Sequence, residues 1–96
     1  MFAETRQSKM VPRTFIQITN LANAVAITNC PTDISATLLT AENQAVRWRD
    51  DRIDPTNAVG QILAVNTPFW YYGDPSKLKF IEGAASAKLN ITLYNK

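Results

Sequence analysis

The chain has no histidine, one cysteine and three glycines in 96 residues, and each shortage closes a route. Without histidine, no serine, threonine or cysteine has its usual base for nucleophilic attack. A single cysteine, Cys30, excludes an internal disulfide. Next to Pro31, at the end of a strand-like run, Cys30 reads as a small apolar residue buried in the core. Gly60, Gly73 and Gly83 stand too far apart to form a phosphate-cradling loop. No apolar run approaches the ~18 residues of a membrane-spanning helix. Glu4, Arg6, Gln7, Ser8 and Lys9 interrupt any signal-peptide core, so a soluble chain made in a cytoplasm is expected.

Charge is also scarce, at 19% of residues, and nearly balanced at a formal +2. Residues 1–13 hold Arg6, Lys9 and Arg13 against Glu4. Ten basic residues less three, and eight acidic less one, leave seven of each sign in the remainder. That balance, with no clustered basic helix, argues against direct nucleic-acid binding. The length suits one domain with a modest core, for which oligomerisation would add stability.

What the chain does have is β patterning. Residues 1–13 show neither a strand nor a helix period and read as an extended arm: first a frayed terminus, or else an arm that orders against a neighbouring subunit with Phe2, Met10 and Val11 as its apolar anchors. From 14 to 96 a domain of about eight short strands is expected. The runs are 14–19, 24–28, 34–40, 44–49, 59–65, 69–72, 77–80 and 87–94, with turns such as 20–23 and 83–86 between them. In the sharpest run Val46 and Trp48 share one face, and Arg47 and Arg49 the other. In 34–40, Ile34, Ala36 and Leu38 share one side, and Ser35, Thr37 and Leu39 the other. Gly60 is a candidate bulge, and 54–59 after Pro55 a candidate helical turn. The pattern predicts an all-β fold: one antiparallel β-sandwich, jelly-roll or immunoglobulin-like, with an extended N-terminal arm.

Three groups of residues are candidates for function. Asp50, Asp51 and Asp54 crowd one loop, but their spacing fits no calcium-loop motif, and Arg47, Arg49 and Arg52 lie among them. Ion pairing and turn capping explain them better than a metal. Arg47 and Arg49 form either a solvated strand face or one side of an intersubunit ion pair, with Glu42, Asp50, Asp51 or Glu82 as partners. Phe69, Trp70, Tyr71 and Tyr72 should split two inward and two outward, which exposes Trp70 or Tyr72 for protein contact ahead of sugar stacking. No set of residues assembles into a catalytic constellation, so neither an enzyme nor a bound cofactor is expected.

Several motifs together resemble a known group. They are Val46-Arg47-Trp48-Arg49-Asp50-Asp51 with Asp54-Pro55-Thr56, then Val59-Gly60, then a Tyr72-Gly73-Asp74 turn. This leads into Leu78-Lys79-Phe80-Ile81-Glu82 and Ala87-Lys88-Leu89-Asn90-Ile91. The set, spanning about residues 41–94, resembles small β-rich virion proteins of tailed bacteriophages, grouped with capsid decoration (cement) and other head-associated structural proteins. The related pattern often has glycine after the paired aspartates, where this chain has Arg52-Ile53.

The resemblance implies a structural protein of the virion head surface, made in a bacterial host, with the major capsid protein as partner and a homotrimer as the favoured assembly. Its interface would draw on Phe2, Met10, Val11, Arg47, Arg49, Asp50, Asp51, Trp70 and Tyr72. Two other readings fit the same residues: a carbohydrate-binding or adhesive module of a fibre or tail, and a head–tail connector component.

Overall fold

The computed structural model describes residues 10–95. The part of the expected arm that carries Phe2 lies outside them. Eight strands follow in order: β1 (Val11–Ile18), β2 (Val25–Ala26), β3 (Ala36–Glu42), β4 (Val46–Arg49), β5 (Gln61–Leu63), β6 (Phe69–Tyr71), β7 (Lys79–Glu82) and β8 (Lys88–Asn95). The β-rich composition has produced two four-stranded antiparallel sheets, ordered β1-β8-β3-β6 and β2-β7-β4-β5.

The pairing has a simple logic. β1 pairs with β8, β2 with β7, β3 with β6 and β4 with β5. The chain is therefore one long hairpin, rolled up so that β8 also meets β3 and β7 also meets β4. That is the jelly roll, and it decides between the two sandwich topologies expected.

Period-two alternation builds the core between the sheets. Leu89, Ile91 and Leu93 of β8, and Leu39 and Ala41 of β3, face Val46 of β4, Leu63 of β5 and Phe80 of β7, all buried. Each large side chain of this kind contributes roughly 1.5–3 kcal/mol on burial. Residues from outside the strands also plug the core, the largest of them Leu21 and Leu78. Leu21, in the turn between β1 and β2, is fully buried while its carbonyl accepts from Glu82 N at 2.9 Å. Leu78, also fully buried, closes the 3-10 turn Pro75–Lys77, which Asp74 caps by accepting from Ser76 N at 3.0 Å. Cys30 is half-buried and packs against the core from its rim.

Several boundaries differ from those expected. β1 begins at Val11, so the boundary expected after residue 13 falls inside a strand. Register shifts between Pro12 and Thr14, and a bulge at Arg13 absorbs the irregular sequence. β3 runs from Ala36 to Glu42, two residues later than expected, although Ser35 N still donates to the Tyr94 carbonyl at 2.8 Å. β2 keeps only two residues and β5 only three.

No helical turn follows Pro55. Thr56 and Val59 instead exchange backbone hydrogen bonds at 2.9 and 3.2 Å, and Thr56 Oγ1 accepts from Ala58 N and Val59 N. With Thr56 N also taken by the Val59 carbonyl, the chain closes a single tight turn on Thr56 and does not continue as a helix.

Candidate interaction surface

The two outer faces of the sandwich differ. On the β2-β7-β4-β5 sheet, the 50–60 loop folds back over the strands. Pro55 is buried, Lys79 Nζ donates to Asp54 Oδ1 at 2.8 Å, and Gly60, at a φ of +144°, lies against Pro55 and the Arg47 stem. The loop thereby lies over the Arg47 side of this face, while Ile62 of β5 stays 62% exposed beside it.

The loop also gives partners within the chain to the charged residues expected at an interface. Arg47 donates to the Gly60 carbonyl at 2.9 Å. Arg49 makes a two-pronged pair with Asp51, with Nε to Oδ1 at 3.0 Å, which holds the Asp51 carboxyl below its usual range. Asp50 Oδ2 accepts from the Tyr71 hydroxyl at 2.8 Å. The three aspartates thus serve three separate partners within the chain. Two of them line an open cleft of about 360 Å³, shared by Arg49, Asp50, Asp51, Val59, Gly60 and Gln61. Among the described residues, no group of three potential metal ligands comes together.

No described residue covers the outer face of the β1-β8-β3-β6 sheet, and its side chains are unusual for a solvated face. Cross-strand register places Phe15 beside Thr92, Thr92 beside Leu38, and Leu38 beside Trp70, one row across all four strands. The next row holds Pro12, Tyr94 and Ala36. Trp70 and Tyr94 meet with ring centroids 5.3 Å apart, reaching over β3, where the small Ala36 leaves room; Ala36 is 1% exposed. Phe15 is 61% exposed, Trp70 38% and Tyr72 70%. Beyond this apolar zone the face turns polar. Gln17 Nε2 donates to Asn90 Oδ1 at 2.8 Å, and Asn90 Nδ2 donates to Glu42 Oε1 at 3.0 Å. An apolar centre bordered by satisfied polar groups has the anatomy of a protein-binding surface.

The aromatic run 69–72 accounts for this division. Phe69 and Tyr71 turn toward the other sheet, where Trp48 packs against both at centroid distances of 5.6 and 5.7 Å. Trp70 and Tyr72 take the opposite alternation. Of the residues expected at an interface, Trp70 lies on the open face, with Tyr72 following at its margin. Val11 starts β1, 54% exposed, and Met10 precedes it, half-buried. Arg47, Arg49, Asp50 and Asp51 belong to the other sheet and its loop, turned into intrachain contacts. Sequence reading missed Phe15, Leu38 and Tyr94. Alternation put Phe15 and Tyr94 among polar neighbours; the signal was that the outward set of three strands each contained one large apolar residue.

No family model, no curated protein and no solved structure matches the chain. No helix among the described residues is long and apolar enough to cross a membrane.

Proposed function

We propose that this chain is a bacteriophage structural protein that decorates the assembled head, seating the apolar face of its β1-β8-β3-β6 sheet on the major capsid protein. One observation carries the reading: the row Phe15–Thr92–Leu38–Trp70, backed by Tyr94, crosses a whole sheet on the side away from the core. Burying such a face requires a partner surface, and aromatic side chains concentrate binding energy at interface centres. The motif resemblance of residues 41–94 supplies the class of partner. The compact jelly roll supplies a rigid platform that needs no rearrangement to bind.

The mechanism is additive. Each copy covers a modest area, and a shell repeats that contact at every equivalent position. A protein that binds the assembled lattice in preference to dispersed subunits shifts the assembly equilibrium toward the shell. No enzymatic step and no cofactor enter this role.

The test is cosedimentation of the purified protein with phage heads that lack it, followed by heating of the decorated particles. Wild-type protein pellets with the heads and raises their disruption temperature, whereas Trp70→Ala and Tyr94→Ala proteins stay in the supernatant. Equal pelleting of wild type and both variants refutes this face as the contact. A wild-type protein that ignores heads, but whose tryptophan emission is quenched by host glycan, moves the function to an adhesive module.

A further inference from the structure

The sheet edges are as uneven as the sheet faces. Three of the four edge strands are short: β2 has two residues, and β5 and β6 have three each. Brevity is a common protection against unwanted strand pairing. β1 is the exception, with eight residues, and among the described residues nothing pairs with its other edge. Pro12 and the bulge at Arg13 blunt its first part, because proline offers no N–H and the bulge breaks register. That leaves Thr14 to Ile18 as a regular, unpaired edge.

Charge is the other usual protection, and here it is missing. From Thr14 to Thr32 the chain has no Asp, Glu, Lys or Arg. This stretch forms most of β1, all of β2 and their connection, so among the described residues the part of the flank that lies beyond the Arg13–Asp33 ion pair, with the β1 edge of one sheet above the β2 edge of the other, carries no charge of its own. A groove of about 280 Å³ runs there, with Ile16, Ile18 and Val25 among its lining. Ile16 and Ile18 pack on the core and still show apolar surface to the groove.

We propose that this edge pairs with a second copy of the chain. The two β1 strands run antiparallel about a two-fold axis at Ile16, the midpoint of Thr14–Ile18, and join two four-stranded sheets into one of eight. A second copy is the occupant the chemistry favours. A flank facing its own image meets like charge wherever it carries any, and the stretch 14–32 carries none. An antiparallel strand edge is also self-complementary under a two-fold axis, since each outward N–H and C=O meets its symmetry mate's opposite group. In this register Phe15 lies beside Gln17 of the other copy on the open face, and Thr14 lies beside Ile18 on the groove side. The exposed Phe15 rings gain neighbours, and the two apolar faces become one continuous surface. Five residue pairs make a small interface, so association in roughly the micromolar range is expected.

The test uses purified protein alone and does not depend on any capsid. Sedimentation velocity from about 5 µM to about 1 mM should show a monomer–dimer equilibrium. In the proposed register, F15K/Q17K places lysine against lysine twice and should weaken the dimer at least ~100-fold; F15E/Q17E should do the same. An equimolar mixture of the two sets lysine against glutamate and should restore the dimer to within about tenfold of wild type. Each variant is first confirmed as folded by its near-ultraviolet dichroism. Should either variant not fold, amide exchange on the wild type decides the matter: protection of residues 14–18 that rises with concentration supports pairing, and protection independent of concentration refutes it. A wild type that stays monomeric to about 1 mM, or forms the trimer expected from the resemblance, overturns the proposal. So does a mixture of folded charge variants that fails to associate.

Discussion

The Tyr71 hydroxyl donates to Asp50 Oδ2 at 2.8 Å and so ties the two sheets together at one end of the sandwich. Tyr71 belongs to β6 of one sheet, and Asp50 follows β4 of the other. The ring lies edge-on to Trp48, with centroids 5.7 Å apart, so aromatic packing and the hydrogen bond hold the same phenol.

That contact predicts an alkaline limit to stability. Burial first, and the Asp50 carboxylate second, push Tyr71 from an ordinary 10.0 up to about 12. The fold favours the neutral phenol. Its contribution is therefore complete below pH 10.0 and lost as pH rises toward about 12. Denaturant midpoints measured across this window should fall, and Tyr71→Phe should remove that part of the decline. Ultraviolet titration of the folded protein should show a tyrosine ionising near pH 12, and the same variant should abolish that step.

Gly73 is the companion of that tyrosine. A Cβ at position 73 would collide with the Tyr71 hydroxyl and come within 2.7 Å of its Cζ. Gly73→Ala should cost about 1–3 kcal/mol through overpacking. In a Tyr71→Ala background the same change should cost almost nothing. Chemical denaturation of the four proteins in the cycle reads the coupling directly.

Arg52 follows the paired aspartates with a φ of 70°, in the left-handed region that favours glycine. The turn there thus takes a glycine-like conformation at a residue with a long side chain. Arg52→Gly should relieve this strain and, after the extra entropy of the unfolded chain, stabilise the protein by about 0.5–1 kcal/mol. A lower melting temperature for the variant would contradict the reading.

Thr37 sits on the inner face of β3, fully buried, and its Oγ1 has no hydrogen-bond partner among the described residues. Valine keeps the branched shape and removes the stranded hydroxyl. Thr37→Val should therefore stabilise by about 1 kcal/mol, a rise of roughly 4–8 °C in Tm for a domain of this size. Calorimetry would sink this expectation by finding an unchanged or lower Tm.

Cys30 should be a sluggish thiol. Burial first, and the Asp74 charge second, raise it above its usual value. At pH 8 its reaction with a disulfide reagent should run at least about tenfold slower in folded than in urea-unfolded protein. Asp74→Asn should speed the folded reaction while leaving the unfolded one unchanged.

Much of the architecture was legible in the chain. Alternation in Val46-Arg47-Trp48-Arg49 placed valine and tryptophan on one face, and that face is the inner one. The run 69–72 split as alternation requires. Leu21 was not legible. Between Asn20 and the Ala22-Asn23 pair it reads as part of a turn, yet it plugs the core, because a chain crossing from one sheet to the other must close the sandwich's end. The charged block was legible as an ion-pairing cluster, but its partners were not. Arg49 and Asp51 are two residues apart and pair locally, whereas Lys79 and Asp54, or Tyr71 and Asp50, meet only when distant strands do.

The open face shows the same division most clearly. Sequence alone determined which residues share a side of each strand, because side chains alternate with a period of two. It grouped Ala36 with Leu38, and Thr37 with Leu39, with apolar residues on both sides. Only the tertiary structure decided that Leu39 faces the core and Leu38 faces out beside Trp70. A two-residue period distinguishes two faces but assigns neither to the interior; the second sheet, packing against one of them, makes that assignment. The row from Phe15 to Trp70 exists for the same reason: its members lie far apart in the chain, and strand pairing alone brings them into line.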